Sequence, residues 1–289
     1  MRGTNYSSNY LDGSADNAWY IEPNQLPFDM TDISDAGFNV VKIYGTAANG
    51  ATHLAALDAM VAVDPNVKFL VLDFVTYETD YSVATGGANR TSKIEEFEDM
   101  ITIFKEHPAV IGYGFGNENN LNLGTTPAAD WYSLVDAACA AGKVIDATRY
   151  FFTVEGELGT YPGDASLLNL DAVGANIYRG ATFTDLLQDI VSLTSKPFFL
   201  AEFGIERTDN TQGEQDDQAT EVLALIQEAE SYYPYICGWI HFKWTHNSNS
   251  SQFYHITAPL AQGVNQSRTK YTAYNTIKNY NITTSYASA

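Results

Sequence analysis

Eight short apolar runs, at 2–6, 38–44, 68–74, 109–115, 150–154, 172–178, 197–202 and 237–243, recur along the chain with helical patterns between them. Such alternation predicts βα units around a parallel sheet, and eight is the number at which that sheet closes on itself. The expectation is an α/β fold: a (β/α)8 TIM barrel forming one domain over residues 1–289. Ser92 and Glu95 have capping-box spacing ahead of a helix at 93–106, and Thr182 and Asp185 precede another at 184–194. Pro127 and Gly142 frame a third, while 216–231 places Val222, Leu223, Leu225, Ile226 and Ala229 at helical spacing. Residues 156–170 are too short and too punctuated by Gly and Pro for a full helix, so the fifth unit is expected to be degenerate.

Two of the apolar runs end abruptly in a glutamate, Glu118 after Gly112–Asn117 and Glu202 after Phe198–Ala201. A carboxylate at the carboxyl end of a barrel strand stands where such barrels keep their chemistry. The connections at 7–25, 75–91, 205–215 and 245–268 are long and polar, which puts the working face at that same end. They carry Tyr10, Trp19, Tyr20, Tyr77, Tyr81, Phe253 and Tyr254, and aromatics around a cleft bind the apolar C–H faces of sugar rings. Glycosidic bond cleavage needs a proton for the leaving oxygen and a nucleophile or water opposite, hence paired carboxylates. Glu118 and Glu202 are the candidate pair.

Strand parity places Phe198, Leu200 and Glu202 on one face, and Gly112, Gly114, Gly116 and Glu118 on one face of theirs. Phe198 and Leu200 are then expected to fill the barrel interior beside the glycines. Trp244, in phase with Ile240 and Phe242, is expected to floor the pocket, with Tyr6 and Tyr77 on its walls.

Fifteen Lys and Arg against 35 Asp and Glu give a net charge of −20, which repels nucleic acid and anionic lipid. No apolar run approaches the roughly 18 residues of a membrane span. His241, His246 and His255 have no defensible metal-ligand spacing, and neither a phosphate loop nor a serine elbow is present, so neither metal nor cofactor is expected. Cys139 and Cys237 read as free thiols. No leader precedes the first strand, which is consistent with a cytoplasmic protein or, as preferred here, a mature secreted one.

The Asn117-Glu118 pair ending strand four and Ala201-Glu202-Phe203-Gly204 ending strand seven resemble the clan A retaining glycoside hydrolases. Arg2–Tyr6, Gly37–Tyr44, Asp171–Tyr178 and Gly238–Trp244 are similar to strands one, two, six and eight of that clan. Within it the look is closest to fungal β-1,3-glucanosyltransferases and family 5 endoglucanases, although Lys42 stands where those carry arginine and their disulfides are missing. The resemblance implies Glu118 as acid/base and Glu202 as nucleophile, Asn117 on the sugar 2-OH, Tyr178 and Lys42 on the nucleophile, and Tyr44 beside them. It implies a monomeric enzyme on a β-glucan oligosaccharide or polysaccharide, hydrolysing within the chain or transferring between chains, with β-mannan an alternative. A carbohydrate-binding barrel without catalysis, and a lyase or aldolase using Lys243 or His241, are the competing classes.

Overall fold

The computed structural model describes residues 1–7, 22–45, 48, 50–77, 79–85, 87–245, 253–260 and 264–280; Tyr10, Trp19, Tyr20 and His246 lie outside them. Strands β1 (Arg2–Asn5), β2 (Val40–Gly45), β3 (Lys68–Asp73), β4 (Val110–Asn117), β5 (Tyr150–Gly156), β6 (Ala172–Asn176), β7 (Phe198–Phe203) and β8 (Ile236–His241) close a parallel barrel in chain order. Around it run α1 (Leu26–Asp35), α2 (Gly50–Val63), α3 (Ala88–Phe104), α4 (Ala128–Ile145), α5 (Leu186–Leu193), α6 (Gln212–Ser231) and α7 (Thr272–Asn279). Between β5 and β6 there is only a single 3-10 turn, Asp164–Ser166, as the Gly- and Pro-rich sequence implies.

Two helix starts differ from expectation. Helix α3 begins at Ala88 behind Gly87 (φ 73), and the Ser92 hydroxyl donates to the Asn89 carbonyl inside a helix already under way, so it caps nothing. Thr182 Oγ1 accepts from the Thr184 amide in a local turn, and α5 starts only at Leu186. A side-chain cap stands on α6 instead, where Thr211 accepts from the Glu214 amide.

Alternate strand positions feed two apolar layers. Val40, Tyr44, Leu70, Leu72, Phe152, Val154, Phe199, Ala201 and Ile240 fill the barrel, while Val41, Ile43, Phe69, Val71, Phe115, Phe198 and Leu200 pack outward with helix residues such as Met60, Phe97, Trp131 and Val222. The expectation that Phe198 and Leu200 fill the interior is therefore wrong; Phe199 and Ala201 do. On that parity Glu202 would face the helices. It does not, because β7 carries an extra residue: Ala175 pairs Leu200 but Asn176 pairs Glu202, and Leu200 pairs Trp239 while Phe203 pairs His241. Strand β4 does the same, with Gly114 opposite Phe152 and Asn117 opposite Val154. After that bulge Gly116 (φ 82) turns toward α4, and a Cβ there would stand 2.7 Å from the Trp131 ring. Each glutamate thus follows a bulge, the device that re-aims a side chain at a strand end.

A cavity of about 410 Å³ opens between Val40, Leu70, Ile111, Phe152 and Phe199, at the strands' amino ends and away from both glutamates. Both cysteines are free thiols. No helix among the described residues is long and apolar enough to cross a membrane.

Two carboxyls are buried in the outer layer. Asp73 is 5% exposed and its Oδ2 has no partner among the described residues, whereas Glu155, 1% exposed, accepts from the Tyr132 hydroxyl at 2.6 Å. Burial raises each to about 7. A carboxyl raised on folding lends stability below its unfolded pKa and withdraws it as pH climbs to the folded one. Asp73→Asn and Glu155→Gln should match wild type near pH 4 and exceed it by on the order of a few kcal/mol at pH 8. Thermal melts across pH 4–8 check this; a pH-independent difference would remove the assignment.

Candidate active site

The site is assembled at the carboxyl ends of β2, β4, β6 and β7. Lys42 and Tyr44 lie on the inward face of β2, and both reach Glu202 Oε1: the Lys42 ammonium at 2.9 Å, with the Tyr44 hydroxyl donating to the same oxygen. The Tyr178 hydroxyl, two residues beyond β6, donates to Glu202 Oε2 at 3.0 Å. Both carboxylate oxygens are thus held by donors. The Lys42 side chain is wholly buried and the Glu202 side chain 6% exposed, so this is a desolvated ion pair. Burial drives Lys42 below the usual lysine range against the pull of Glu202, and burial beside that same charge pushes Tyr44 and Tyr178 well above the usual phenol range. The two tyrosines therefore remain hydroxyl donors.

Glu118 follows β4 in the left-handed region (φ 55), with its amide donating to Val154 O at 2.8 Å. The turn behind it is pinned by two asparagines. Asn119 Oδ1 accepts from the Asn117 amide while its Nδ2 donates to Val75 O, and Asn120 exchanges two bonds with the Gly156 backbone. Asn176 Nδ2 donates to Glu118 Oε1 at 3.0 Å and to Asn117 Oδ1 at 3.2 Å, coupling the Asn-Glu pair to β6. Glu118 is less buried than Glu202, yet its carboxyl is raised, first by desolvation and then by the Glu202 charge. The two carboxyls are thereby differentiated: Glu202 is gripped by a cation and two hydroxyls, while Glu118 is biased toward its protonated form.

Lys42, Tyr44, Asn117, Glu118, Tyr178 and Glu202 come together as expected. Tyr77 joins them from the loop after β3, its hydroxyl donating to Asn117 O at 2.7 Å, and with Phe74 and Tyr44 it builds one aromatic flank. Tyr178, Phe242 and Tyr254 make a second, with ring centroids 5.1–6.1 Å apart.

Two residues expected in the pocket are elsewhere. Trp244 is fully buried and its ring meets Tyr274 of α7 at 6.0 Å, in the outer layer. Parity lapses because β8 ends at His241 and the chain then crosses to β1, where the Trp244 amide donates to Asn5 O. Phe242 is the half-buried aromatic at that position instead. Tyr6, 2% exposed, turns outward and donates to Asp29 Oδ2 at 3.0 Å. His241 is also out of reach: it is completely buried, edge-on to Phe203, and lowered to about 3 by burial. Asn176 is a further site residue, and its signal in the sequence is that of a polar residue closing an inward-facing strand end. No group of three His, Cys, Asp or Glu among the described residues could hold a metal ion.

No protein-family model matches this chain, and no curated protein resembles it significantly in sequence. Solved structures do resemble it in fold. The Parabacteroides merdae β-glucuronidase with glycerol in its active site aligns at TM-score 0.70 and 15% identity, over 97% of this chain and 36% of its own. Bacteroides uniformis β-glucuronidase 2, covalently bound to cyclophellitol-6-carboxylate aziridine, aligns at 0.71 and 15%, over 96% and 34%. The GH2 β-galacturonidase from Eisenbergiella tayi bound to galacturonate gives 0.69 and 15%, over 96% and 50%. At these identities the likeness is one of fold, a TIM barrel, and this chain spans between a third and a half of each neighbour's length.

Proposed function

We propose that this barrel is a retaining β-glycoside hydrolase acting within β-glucan chains, with Glu202 as nucleophile and Glu118 as acid/base. The observation that carries this reading is the asymmetry of the pair: Lys42, Tyr44 and Tyr178 all donate to Glu202, while Glu118 is biased toward holding its proton. In the first step Glu202 bonds to the anomeric carbon as the glycosidic bond breaks, and the leaving oxygen takes the Glu118 proton. Esterification removes the Glu202 charge that raised Glu118. Glu118, having given up its proton, is then held more readily as the carboxylate, takes a proton from water or from a second sugar, and the new C–O bond displaces the Glu202 ester. Asn117 is assigned to the sugar 2-OH. The two aromatic flanks, Phe74 with Tyr77 and Phe242 with Tyr254, suit neutral sugar rings, and the net charge of −20 suits an uncharged polymer outside the cell, engaged by a monomer.

A uronide substrate is the second reading. The neighbours' names suggest it, and Lys243, whose ammonium lies 5.1 Å from the Phe242 ring centroid, is the cation it would use. Product analysis on β-1,3- and β-1,4-glucan and mannan oligosaccharides, beside aryl β-glucoside and aryl β-glucuronide, separates the readings. Internal cleavage of a glucan with retained anomeric configuration is expected, products longer than the substrate would show transfer, and turnover of the glucuronide alone would overturn the glucan assignment.

A further inference from the structure

The leaving sugar must lie by Glu118, because the anomeric carbon sits against Glu202 and the glycosidic oxygen against Glu118. Around Glu118 the chain segments that follow β4, β5 and β6 bring together an exposed apolar side chain and a surface ion pair. Leu121, three residues on, is 57% exposed, a large apolar side chain left at the surface beside Glu118. Gly156 makes room for it: a Cβ there would stand 2.3 Å from Leu121 Cδ1 and 3.5 Å from Glu118 Cβ. The next residue, Glu157, pairs with Arg179, whose Nε and Nη2 both approach Glu157 Oε2, at 2.7 and 2.6 Å. Glu157 Oε1 has no partner among the described residues, and each side chain of the pair is 36% exposed. Arg179 Nη1 donates to Thr184 Oγ1 at 3.2 Å.

The backbone marks the same place. Among the described residues the non-glycine positions at positive φ are Glu118, Glu157, Leu158 and Thr184, and all stand after β4, β5 or β6 around this ion pair. Left-handed non-glycine residues persist where surrounding structure holds them, and they gather at functional sites.

We propose that Leu121, Glu157 and Arg179 form the subsite for the leaving sugar and, after glycosylation of Glu202, for the acceptor. The inference rests on the hydrolase reading above. Its ligand is a neutral hexose unit carrying vicinal hydroxyls. Leu121 covers the apolar face of the ring, one hydroxyl donates to Glu157 Oε1, and its neighbour accepts from the Arg179 guanidinium, an arrangement that an unpaired charge of either sign would not provide. With an acceptor sugar bound there, the attacking hydroxyl passes its proton to Glu118 as its oxygen bonds to the anomeric carbon and the Glu202 ester breaks. The subsite therefore governs the partition between transfer and hydrolysis.

The test compares wild type with Arg179→Gln and Glu157→Gln on a glucan oligosaccharide and on the dinitrophenyl β-glycoside of the same glycone, which has no leaving sugar. The ratio of kcat/KM for oligosaccharide over aryl glycoside should fall tenfold or more in each variant, and so should the yield of transfer product with added acceptor oligosaccharide. Equal losses on both substrates, or no loss on either, would overturn the subsite while leaving the hydrolase reading intact. A wild-type protein inert on both substrates would overturn the hydrolase reading and the subsite with it. Because both residues are half exposed, unchanged melting curves would confirm that the variants are folded.

Discussion

Glu202→Ala is expected to lose on the order of 10⁵-fold or more in turnover, because it removes the atom that attacks the anomeric carbon. No glycosyl-enzyme can form. Glu118→Ala behaves differently, since an activated aryl leaving group needs no proton and the first step still proceeds. The second step then lacks a base, and general-base assistance is worth roughly 10²–10⁴-fold. The intermediate accumulates. Mass spectrometry of Glu118→Ala with a dinitrophenyl glycoside should show one added glycosyl unit on the peptide containing Glu202, and azide should restore turnover as a β-glycosyl azide. A label on Glu155, Glu157 or Glu206, or wild-type turnover by Glu202→Ala, would reverse the assignment. Glu155 is out of reach of a substrate, being 1% exposed beneath α4 and bonded to Tyr132.

The barrel and both glutamates were legible because strand number and strand-end carboxylates survive small errors of boundary. The eight expected strands overlap the observed ones throughout. Which way each side chain points was less legible, since the period of two holds only while pairing is regular. In β4 and β7 one extra residue reverses the phase just before Glu118 and Glu202, so a strict period of two points Phe198 and Leu200 inward while the structure places Phe199 and Ala201 there. Glu202 was placed correctly by a parity argument that the bulge invalidates. Trp244 failed for the converse reason: its phase was extended beyond His241, where no strand remains to carry it. Asn176, in contrast, keeps the inward phase of Gly174, and Phe242, whose amide still donates to Phe203 O on β7, keeps that of Ile240. Contacts between distant segments were beyond reach of the sequence. Nothing local announces that Asn120 clamps Gly156 or that Glu157 meets Arg179.

Lys42→Met is the substitution that tests how Glu202 is held. Methionine keeps the length and apolar stem of lysine, so it fits the buried site, but it removes the cation 2.9 Å from Glu202 Oε1. Breaking a buried pair by deleting one partner leaves the other charge uncompensated and typically costs about 3–5 kcal/mol, more than either tyrosine bond returns. Two consequences follow in one variant. The fold should lose stability by about that amount, read as a lower midpoint in denaturant, and the first chemical step should slow by on the order of 10²–10³-fold, read as the burst rate on an aryl glycoside. Lys42→Arg should not recover the loss in full even though arginine occupies this position in the resembled families. Its fork needs two acceptor sites, while Tyr44 already donates to Oε1 and Tyr178 to Oε2, so a guanidinium would displace one of them. If Lys42→Met retains burst rates within threefold of wild type, the ammonium is a packing element and the two tyrosines alone orient Glu202.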